Sequence, residues 1–334
     1  MSIPSTWSGS QPMFQTDCAA PARRDNTSTG RADVPAQPRS AAFVMSPALG
    51  DSLNLLVVAH NLVRAGWQVE IFGNHAWSLA RWFPHLSIHP ALGEEDARER
   101  LAKFGVVVQM HRDRPLKHLR AWHRGFIDLH DIEYETGDRC MAHRFAAFAA
   151  AHFALPSVEI SNGIHAPQAL EYRRHAQRVA LHPEASTPDK RWLARRFIGL
   201  SRNLRGEGFA PEFVVAESER PHWLPLAGEM PPLHSFRTTS DLAAWLYESG
   251  WFIGNDSGVG HLASALGIPT LTVFRRRRVA QRWRPGFQRG EIVLPPWWLA
   301  SAGLKEKWWR ESISTKRVQR AFRVLRARFA PHAA

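Results

Sequence analysis

Short apolar runs alternate with segments of helical spacing along most of this chain, and this alternation constrains the fold more than any other feature. Residues 41–45 and 68–72 are apolar-rich runs of strand length, and residues 52–65 between them carry apolar side chains at helical spacing. A strand, a helix and a strand within about 30 residues predict a right-handed βαβ unit on a parallel sheet. Residues 106–108 and 140–153 predict a further strand and a further helix.

The second half of the chain repeats this pattern. Two such halves, joined around residues 160–177, predict an α/β protein of two doubly wound, Rossmann-like domains that face each other across a cleft. In sheets of this kind, ligands bind beyond the carboxyl ends of the strands, so the loops that follow strands are the candidate sites. The predicted strands are 179–181, 213–216, 251–253 and 270–274, and the predicted helices are 192–204, 240–248 (capped by Ser240) and 258–266.

The chain has 334 residues, which is sufficient for two domains of about 150 residues each. Residues 1–40 are polar and show no periodicity, so we expect a disordered tail there. The predicted domains are residues 41–172 and 173–312. Residues 313–334 contain a basic helix with an apolar stripe, which we expect to pack back on the first domain.

The charge of the chain indicates the class of partner. It carries 43 Lys and Arg residues against 30 Asp and Glu residues, a formal net charge of +13. Such a charge favours polyanionic partners: nucleic acid, an anionic membrane face or a phosphorylated substrate. The sequence contains no helix-turn-helix, zinc-finger or aromatic RNA-binding signature, so we expect no specific nucleic-acid partner.

The two cysteines, Cys18 and Cys140, form no metal-binding spacing, and no HExxH motif occurs. We therefore expect neither a disulfide framework nor a metal site. No stretch reaches the about 20 apolar residues of a membrane span, and the N-terminus lacks the pattern of a secretory signal. The cytoplasm is the expected compartment.

The most informative motif is the strand–turn–helix of residues 252–269, FIGNDSGVGHLASALGIP. Free N–H groups at the helix start, near Gly258, form an anion site, and glycines allow a phosphate to approach closely. Ser257 and His261 are candidate side-chain donors. The alternative is that Asp256 or Ser257 only caps the helix, and the spacing alone leaves both interpretations open.

A second motif, LHPEASTPDKRW at residues 181–192, also follows a predicted strand. The hydroxyls of Ser186 and Thr187 are candidates for holding a diphosphate, and the Lys190 cation would offset negative charge that builds on a leaving group. A solvated loop with one helix cap is the alternative, which these residues by themselves favour.

A third motif is Gly50-Asp51, at the first strand–helix junction. A carboxylate at this junction can act as a general base toward an incoming hydroxyl if the opposite domain delivers the other substrate. Taken alone, Asp51 is better interpreted as a helix N-cap.

Two further features have alternative interpretations. The arginine run after residue 274 is a candidate for binding acceptor phosphates or anionic lipid headgroups, and a solvated basic loop is the alternative. The pairs Trp297-Trp298 and Trp308-Trp309 suit sugar stacking or a membrane interface, but we favour a core or domain-interface position. The arginine run consists of Arg275, Arg276, Arg277 and Arg278.

The three motifs, in this order, resemble the bacterial lipopolysaccharide heptosyltransferase family, glycosyltransferase family 9, over about residues 41–274. The most specific mark is Gly-Asn-Asp-Ser-Gly, two residues, then His-Leu-Ala; His-Pro-x-Ala-Ser followed by Lys-Arg-Trp supports it. The resemblance implies a GT-B fold, with the acceptor bound mainly by the first domain and the nucleotide sugar by the second. It also implies metal-independent inverting transfer without a cofactor, usually from ADP-L-glycero-β-D-manno-heptose to the lipopolysaccharide inner core.

The resemblance also implies partners and roles by position. Asp51 resembles the family's proposed base, and the implied partners are a nucleotide sugar and an anionic glycolipid or glycan acceptor. The arginine run and the basic last helix also allow peripheral contact with the cytoplasmic face of the inner membrane. Glu217 or Glu219 stands where the family often has a ribose-binding acid. The donor-phosphate positions are Ser186, Thr187 and Lys190, and the loop around the diphosphate and sugar is Asp256, Ser257, Gly258 and His261.

The chain departs from the family pattern at several positions. Glu184 stands where glycine is usual, which predicts a bulky negative group near the phosphates. Val259-Gly260 replaces Pro-Met, no proline occurs near Ala59, and the arginine run replaces Gly-Pro-Thr. Two other functions stay open: another nucleotide-sugar transferase or epimerase-like enzyme on the same fold, and a non-enzymatic protein that binds polyanions or nucleic acid.

Overall fold

The computed structural model describes residues 39–134, 137–299 and 302–329. They form two parallel sheets, with strands between residues 40 and 128 in the first and between 175 and 293 in the second. The α/β prediction is confirmed, and the domain boundaries 41–172 and 173–312 stay predictions. The predicted tail lies outside the described residues as far as residue 38, and the first strand begins at Ser40.

The described part of the first half has five strands and five helices: β1 Ser40–Val44, α1 Leu49–Arg64, β2 Gln68–Phe72, α2 Asn74–Ser78, β3 Ser87–His89, α3 Glu94–Leu101, β4 Val106–Gln109, α4 Leu119–Trp122, β5 Phe126–Asp128 and α5 Met141–His152. The strand order is β3-β2-β1-β4-β5, all parallel. Successive β1 side chains enter different hydrophobic clusters, Phe43 one and Val44 another, because side chains alternate across a sheet. Burial on both faces explains why the strand is a continuous apolar run.

Six strands and seven helices lie in the residues of the second half that the structure describes: β6 His175–His182, α6 Ala194–Gly206, β7 Ala210–Ala216, α7 Arg220–Trp223, β8 Leu233–Phe236, α8 Thr239–Tyr247, β9 Ser249–Asn255, α9 Gly258–Ala265, β10 Thr270–Val273, α10 Arg277–Trp283, β11 Glu291–Val293, α11 Ala302–Ser312 and α12 Thr315–Phe329. The strand order is β11-β10-β9-β6-β7-β8, again all parallel. Short 3-10 turns occur at Ala80–Trp82, His130–Tyr134, Pro188–Lys190 and Leu224–Glu229. Within the described residues, no helix is both long and apolar enough to span a membrane.

The predicted position of the last helix is wrong. The apolar stripe of α12 packs against α6, β10 and β11 of the second half. Its Phe322 ring lies 5.2 Å from the ring of Phe209 and 5.4 Å from that of Trp251, so the helix completes the second core. Two of its arginines, Arg323 and Arg326, pair with Glu207 at the end of α6.

Three of the four paired tryptophans do not lie in a core, contrary to the favoured interpretation. Trp297 is 87% exposed, Trp298 61% and Trp308 48%, whereas Trp309 is buried in the second core. The helix cap at Ser240 is also wrong, because Thr238 is the N-cap residue and accepts from the Asp241 N–H. Ser240 instead accepts a hydrogen bond from the Trp82 indole across the two halves, at 3.0 Å.

Candidate active site

A cavity of about 900 Å³ lies where the loops after β1, β6, β7, β9 and β10 meet. Three acidic side chains, Asp51, Glu219 and Asp256, line it together with twice as many cations. The excess of positive charge favours a ligand with several negative charges. The cations are Lys190, Arg191, Arg237, Arg275, Arg276 and Arg282.

Two glycines let the N-termini of α1 and α9 approach each other at this cavity. A Cβ built on Gly258 would lie 2.9 Å from the backbone nitrogen of Gly50, and a Cβ on Gly50 would lie 3.1 Å from Cδ2 of His261. Neither position therefore accepts a larger side chain without movement. Both helix starts line the cavity, so the positive ends of two helix dipoles lie beside the same ligand space.

Asp51 lies in the first turn of α1 and does not cap it, because Ala48 is the N-cap residue. Its Oδ2 accepts a hydrogen bond from the Ser46 hydroxyl at 3.0 Å, and Nε2 of His111 lies 3.3 Å from the same oxygen. Among the described residues, no hydrogen bond falls on the other carboxylate oxygen, Oδ1. The carboxylate is therefore held through Oδ2 alone among the described residues.

His261 lies on α9, buried between the two halves. Nδ1 lies 3.4 Å from the Asn54 amide nitrogen of α1, and the imidazole also bonds to the Trp283 backbone. Burial lowers the pKa of His261, although the Asp256 and Asp51 carboxylates act in the opposite direction. A neutral ring that accepts from Asn54 and donates to the Trp283 carbonyl fits both contacts. His261 therefore joins the two helix starts, and its ring nitrogens are engaged by protein groups.

The predicted diphosphate loop lies at the cavity in part. Lys190 pairs with Asp256 at 3.1 Å, which joins the second motif to the first. Ser186 lines the cavity, whereas Thr187 is not among the lining residues. The Thr187 side chain bonds to Asp189, and this bond is the main cause that lowers the Asp189 pKa.

Glu184 does not place a negative charge beside the ligand space, contrary to the expectation from the sequence. It is buried and accepts a hydrogen bond from the Trp223 indole at 2.7 Å. The Arg191 guanidinium lies 2.7 Å from its other carboxylate oxygen. Arg191 thus neutralises the acid, and it is the Arg191 side chain, not that of Glu184, that lines the cavity.

Ser257 supports the anion-site interpretation of the first motif. It is the N-cap residue of α9, yet its hydroxyl makes no capping hydrogen bond. Its Oγ is buried without a hydrogen-bond partner among the described residues, although Ser257 lines the cavity. A buried polar atom without a partner is costly, and a ligand oxygen at this position would satisfy it.

The two candidate ribose-binding acids both follow β7, but only one of them lines the cavity. Glu219 lines the cavity and its Oε2 accepts from the Ala216 N–H at 2.9 Å, whereas Glu217 is not among the lining residues. Of the two candidates that the sequence left open, Glu219 is therefore the one at the cavity. Beside it lies an apolar part of the wall, formed by Val214, Val215, Phe236 and Leu242.

Only the first two of the four arginines in the arginine run line the cavity. Arg275 and Arg276 line it, and Arg275 also pairs with Asp189 at 2.6 Å. Arg277 and Arg278 begin α10 and are exposed without lining the cavity, so the predicted anion-binding role has support from only the first two. Arg282, further along the same helix, lines the cavity as well.

Several residues of this site were not predicted from the sequence. Ser46 and His111 contact Asp51, and Arg191 and Arg282 add cations. His111 stands soon after the predicted strand 106–108, so its position beyond a strand end was an available signal. Cys140 is a buried free thiol, and among the described residues no group of His, Cys, Asp or Glu side chains could hold a metal ion.

Gly258→Ala is expected to lower the free energy of unfolding by about 1–3 kcal/mol, the range for overpacking a tight contact, and to reduce activity. The added methyl group would meet the Gly50 backbone and force the starts of α1 and α9 apart. Urea unfolding measures the effect. Gly206→Ala is the control, because its Cβ would meet nothing within 4 Å. Equal stability of the two variants would contradict a tight contact between the halves.

The free energy of unfolding is expected to fall at acidic pH because two histidines, His182 and His261, are buried. Burial lowers the pKa of both His182 and His261. Below about pH 6.5 the unfolded chain takes up protons that the folded imidazoles do not, so the free energy of unfolding falls as pH drops through that value. Above it, these groups contribute no slope. Urea unfolding at several pH values should give a shallower fall for His182→Asn, and an unchanged slope would contradict the neutral buried ring.

The family model for glycosyltransferase family 9 (heptosyltransferase) matches residues 118–298, more than half of the chain. No curated protein sequence matches this chain.

Solved structures share the fold at low identity. A family 9 glycosyl transferase from Veillonella parvula DSM 2008 superposes with a TM-score of 0.66 at 17% identity, covering 87% of this chain and 98% of its own. E. coli heptosyltransferase WaaC, solved with ADP, gives 0.63 at 13% identity, covering 86% and 99%. E. coli ADP-heptose lps heptosyltransferase II gives 0.63 at 12% identity, covering 87% and 99%.

These likenesses confirm the GT-B arrangement of two parallel-sheet α/β domains. The family model adds the class of the protein, since it spans the second and part of the first of those domains. This chain therefore belongs to glycosyltransferase family 9 and is a glycosyltransferase.

Proposed function

We propose that this glycosyltransferase moves a heptose from ADP-heptose to an anionic lipopolysaccharide core, with inversion at the anomeric carbon. The observation that carries the proposal is that the Asp51 carboxylate lines the same cavity as six cations and the start of α9. A base on one side and an anion site on the other are the two parts that a direct displacement from a nucleotide diphosphate requires.

The second half of the molecule suits the donor. The apolar wall of Val214, Val215 and Phe236 offers a surface for a nucleobase, and the Glu219 carboxylate offers acceptors for ribose hydroxyls. Lys190, Arg191 and the N–H groups at the start of α9 would hold the diphosphate. E. coli WaaC, which shares the fold, was solved with ADP, and this supports ADP as the nucleotide.

The chemistry follows from the position of Asp51. Its free oxygen Oδ1 would take the proton from an acceptor hydroxyl while that oxygen forms a bond to the anomeric carbon. The bond from the anomeric carbon to the diphosphate breaks in the same step, and the electron pair leaves with ADP. Lys190 and the α9 dipole stabilise the charge that develops on the departing phosphate. A single displacement inverts the configuration at the carbon.

The charge of the chain supports an anionic acceptor and an anionic surface nearby. The formal net charge is +13, and Arg276 and Arg282 add to the positive wall of the cavity. We place the reaction in the cytoplasm, with peripheral contact at the inner membrane. No cofactor takes part in this proposal, because the nucleotide sugar is itself the substrate.

The donor half of the proposal is tested by titrating the purified protein with ADP, UDP and GDP in a calorimeter. We expect saturable binding of ADP and much weaker binding of the other two. Preferential binding of UDP or GDP would agree with a glycosyltransferase but would refute ADP-heptose as its donor. A folded protein that binds none of them would refute the nucleotide site and favour a non-enzymatic polyanion-binding protein.

A further inference from the structure

A second cavity, of about 400 Å³ and here called the junction cavity, lies where the two halves meet. The first half contributes Cys140 and His143 at the start of α5, and the second half contributes residues 284–292 together with Thr270 and Arg328. None of the described residues lines both this cavity and the candidate active site. The junction cavity is therefore a separate site, and its volume suits a small molecule.

The charge of the junction cavity favours an anion. Three arginines line it, Arg284, Arg289 and Arg328, against a single carboxylate, that of Glu291. Arg328 pairs with this carboxylate and balances its charge. Within the part of the chain that the structure describes, no acidic side chain pairs with Arg284 or Arg289. Two guanidinium groups are therefore left to bind a phosphate or carboxylate.

The start of α5 adds backbone donors to the same wall. Cys140 is the N-cap residue of this 12-residue helix, and its side chain makes no capping hydrogen bond. The first N–H groups of a helix have no partner within the helix and lie at the positive end of its dipole. Burial lowers the pKa of His143, and the nearby Arg284 cation lowers it further. Positive charge at this helix start therefore comes from arginine and the helix dipole.

The hydroxyl of Thr270 provides independent support for a ligand. Thr270 begins β10, lines the junction cavity and is only 1% exposed. Its Oγ1 would lie 2.5 Å from a Cβ built on Gly290, which lines the same cavity. Among the described residues, no hydrogen bond engages this hydroxyl. A buried hydroxyl without a partner is costly, and a ligand oxygen in the cavity would satisfy it.

We propose that the junction cavity binds the phosphate group of a small molecule, either free phosphate or a sugar phosphate. The Thr270 hydroxyl and the N–H groups at the α5 start donate to the phosphate oxygens, while Arg284 and Arg289 balance the charge. The bound anion joins the first half of the molecule to the second. Arg282 and Trp283, which directly precede this segment, line the candidate active site, so the anion acts next to the catalytic cavity.

The test measures binding of two probes, inorganic phosphate and glucose 6-phosphate, by calorimetry. Excess ADP is present, so that the proposed diphosphate site is already filled. The variants are Thr270→Val and Arg289→Ala, and thermal unfolding of each is measured with and without phosphate. Thr272→Val is the matched control for the first, because Thr272 lies in the same strand and its buried hydroxyl also lacks a partner, but it lines neither cavity.

Arg320→Ala is the control for Arg289→Ala. Arg320 is an exposed cation on α12 of the same half, and it lies outside both cavity linings. A general loss of positive charge would weaken phosphate binding in both arginine variants. A site at the junction cavity requires the loss in Arg289→Ala alone.

We expect the wild type to bind phosphate saturably and to unfold at a higher temperature when phosphate is present. Thr270→Val and Arg289→Ala should each weaken binding by about 10- to 100-fold, whereas both controls bind as the wild type does. Without phosphate, Thr270→Val should unfold at no lower temperature than the wild type, because the deleted hydroxyl has no partner. Tighter binding of glucose 6-phosphate than of phosphate assigns a sugar phosphate, and equal or weaker binding assigns the free ion.

Three results would overturn the junction site: no saturable binding of either probe by the wild type, equal affinities in Thr270→Val and Thr272→Val, or an equal loss in Arg289→Ala and Arg320→Ala. The arginine pair decides the question if Thr270→Val does not fold. These results leave the proposed function standing wherever ADP binds. A wild type that binds phosphate through Thr270 and Arg289 but binds no ADP would instead refute the proposed nucleotide site and retain the junction site.

Discussion

Asp51→Asn is expected to lower kcat for sugar transfer by about 10²- to 10⁴-fold, the usual contribution of a general base. The amide has nearly the shape of the carboxylate and keeps an oxygen for the Ser46 hydroxyl, so the fold and the α1 start should persist. It cannot, however, take a proton from the acceptor. ADP affinity should stay within about two-fold, because the interaction that is lost belongs to the transition state.

The control for this prediction is Asp96→Asn, an exposed carboxylate in the first turn of α3. It makes the same chemical change in the same half of the molecule, away from the cavity lining. Initial rates and calorimetric ADP titrations of both variants separate chemistry from binding. If Asp51→Asn transfers sugar as fast as Asp96→Asn, another group is the base.

Lys190→Ala is expected to weaken ADP binding by about 10- to 100-fold, the equivalent of one charge-assisted hydrogen bond to a phosphate. The loss has a second component in this protein. Lys190 lies 3.1 Å from Asp256, so its removal leaves an unbalanced carboxylate in the cavity wall that would repel the diphosphate. The change should therefore appear mainly in the dissociation constant.

Lys103→Ala is the matched control, because Lys103 also pairs with a carboxylate, that of Glu70 at 2.7 Å, but lies outside the cavity lining. The double variant Lys190→Ala with Asp256→Asn provides a further check. It should recover part of the ADP affinity if repulsion contributes. Equal ADP affinities for Lys190→Ala and Lys103→Ala would place the diphosphate elsewhere.

The central strands were predictable, and the edge strands were not. Residues 106–108 and 251–253 lie in strands with neighbours on both sides, so their sequences are apolar without interruption. The edge strands β3, β5, β8 and β11 have only three or four residues each and contain polar side chains, which leaves no pattern long enough to detect. The helix α1 begins at Leu49, earlier than the predicted start at residue 52. Gly50 and Asp51 taken alone favour a loop, so the local sequence did not predict that they belong to the helix.

The candidate site was predictable where a single loop carries the signal. Asp51, Lys190 and the turn at Asp256 each follow a predicted strand, and all of them line the cavity. Contacts that join distant loops were not predictable. The approach of His111 to Asp51 depends on β4 lying next to β1, and strand order is not contained in a local pattern.

The placement of the last helix shows the same limit. Its apolar stripe was evident from the spacing of Val318, Phe322 and Leu325. The spacing alone does not determine which of the two cores the helix packs against. Glu184 gives a further case, because its charge is evident from the sequence while its burial against Arg191 requires the folded loop.

The most direct test of the central claim is a transfer assay with the wild-type chain, ADP-heptose and a lipopolysaccharide core that lacks heptose. Mass spectrometry of the acceptor, with UDP-glucose and GDP-mannose as alternative donors, reads out the product. We expect an acceptor heavier by one heptose, released ADP, an inverted anomeric configuration, and far slower product formation with Asp51→Asn. Transfer from UDP-glucose or GDP-mannose but not from ADP-heptose, or no transfer from any donor by a folded protein that binds ADP, would contradict it.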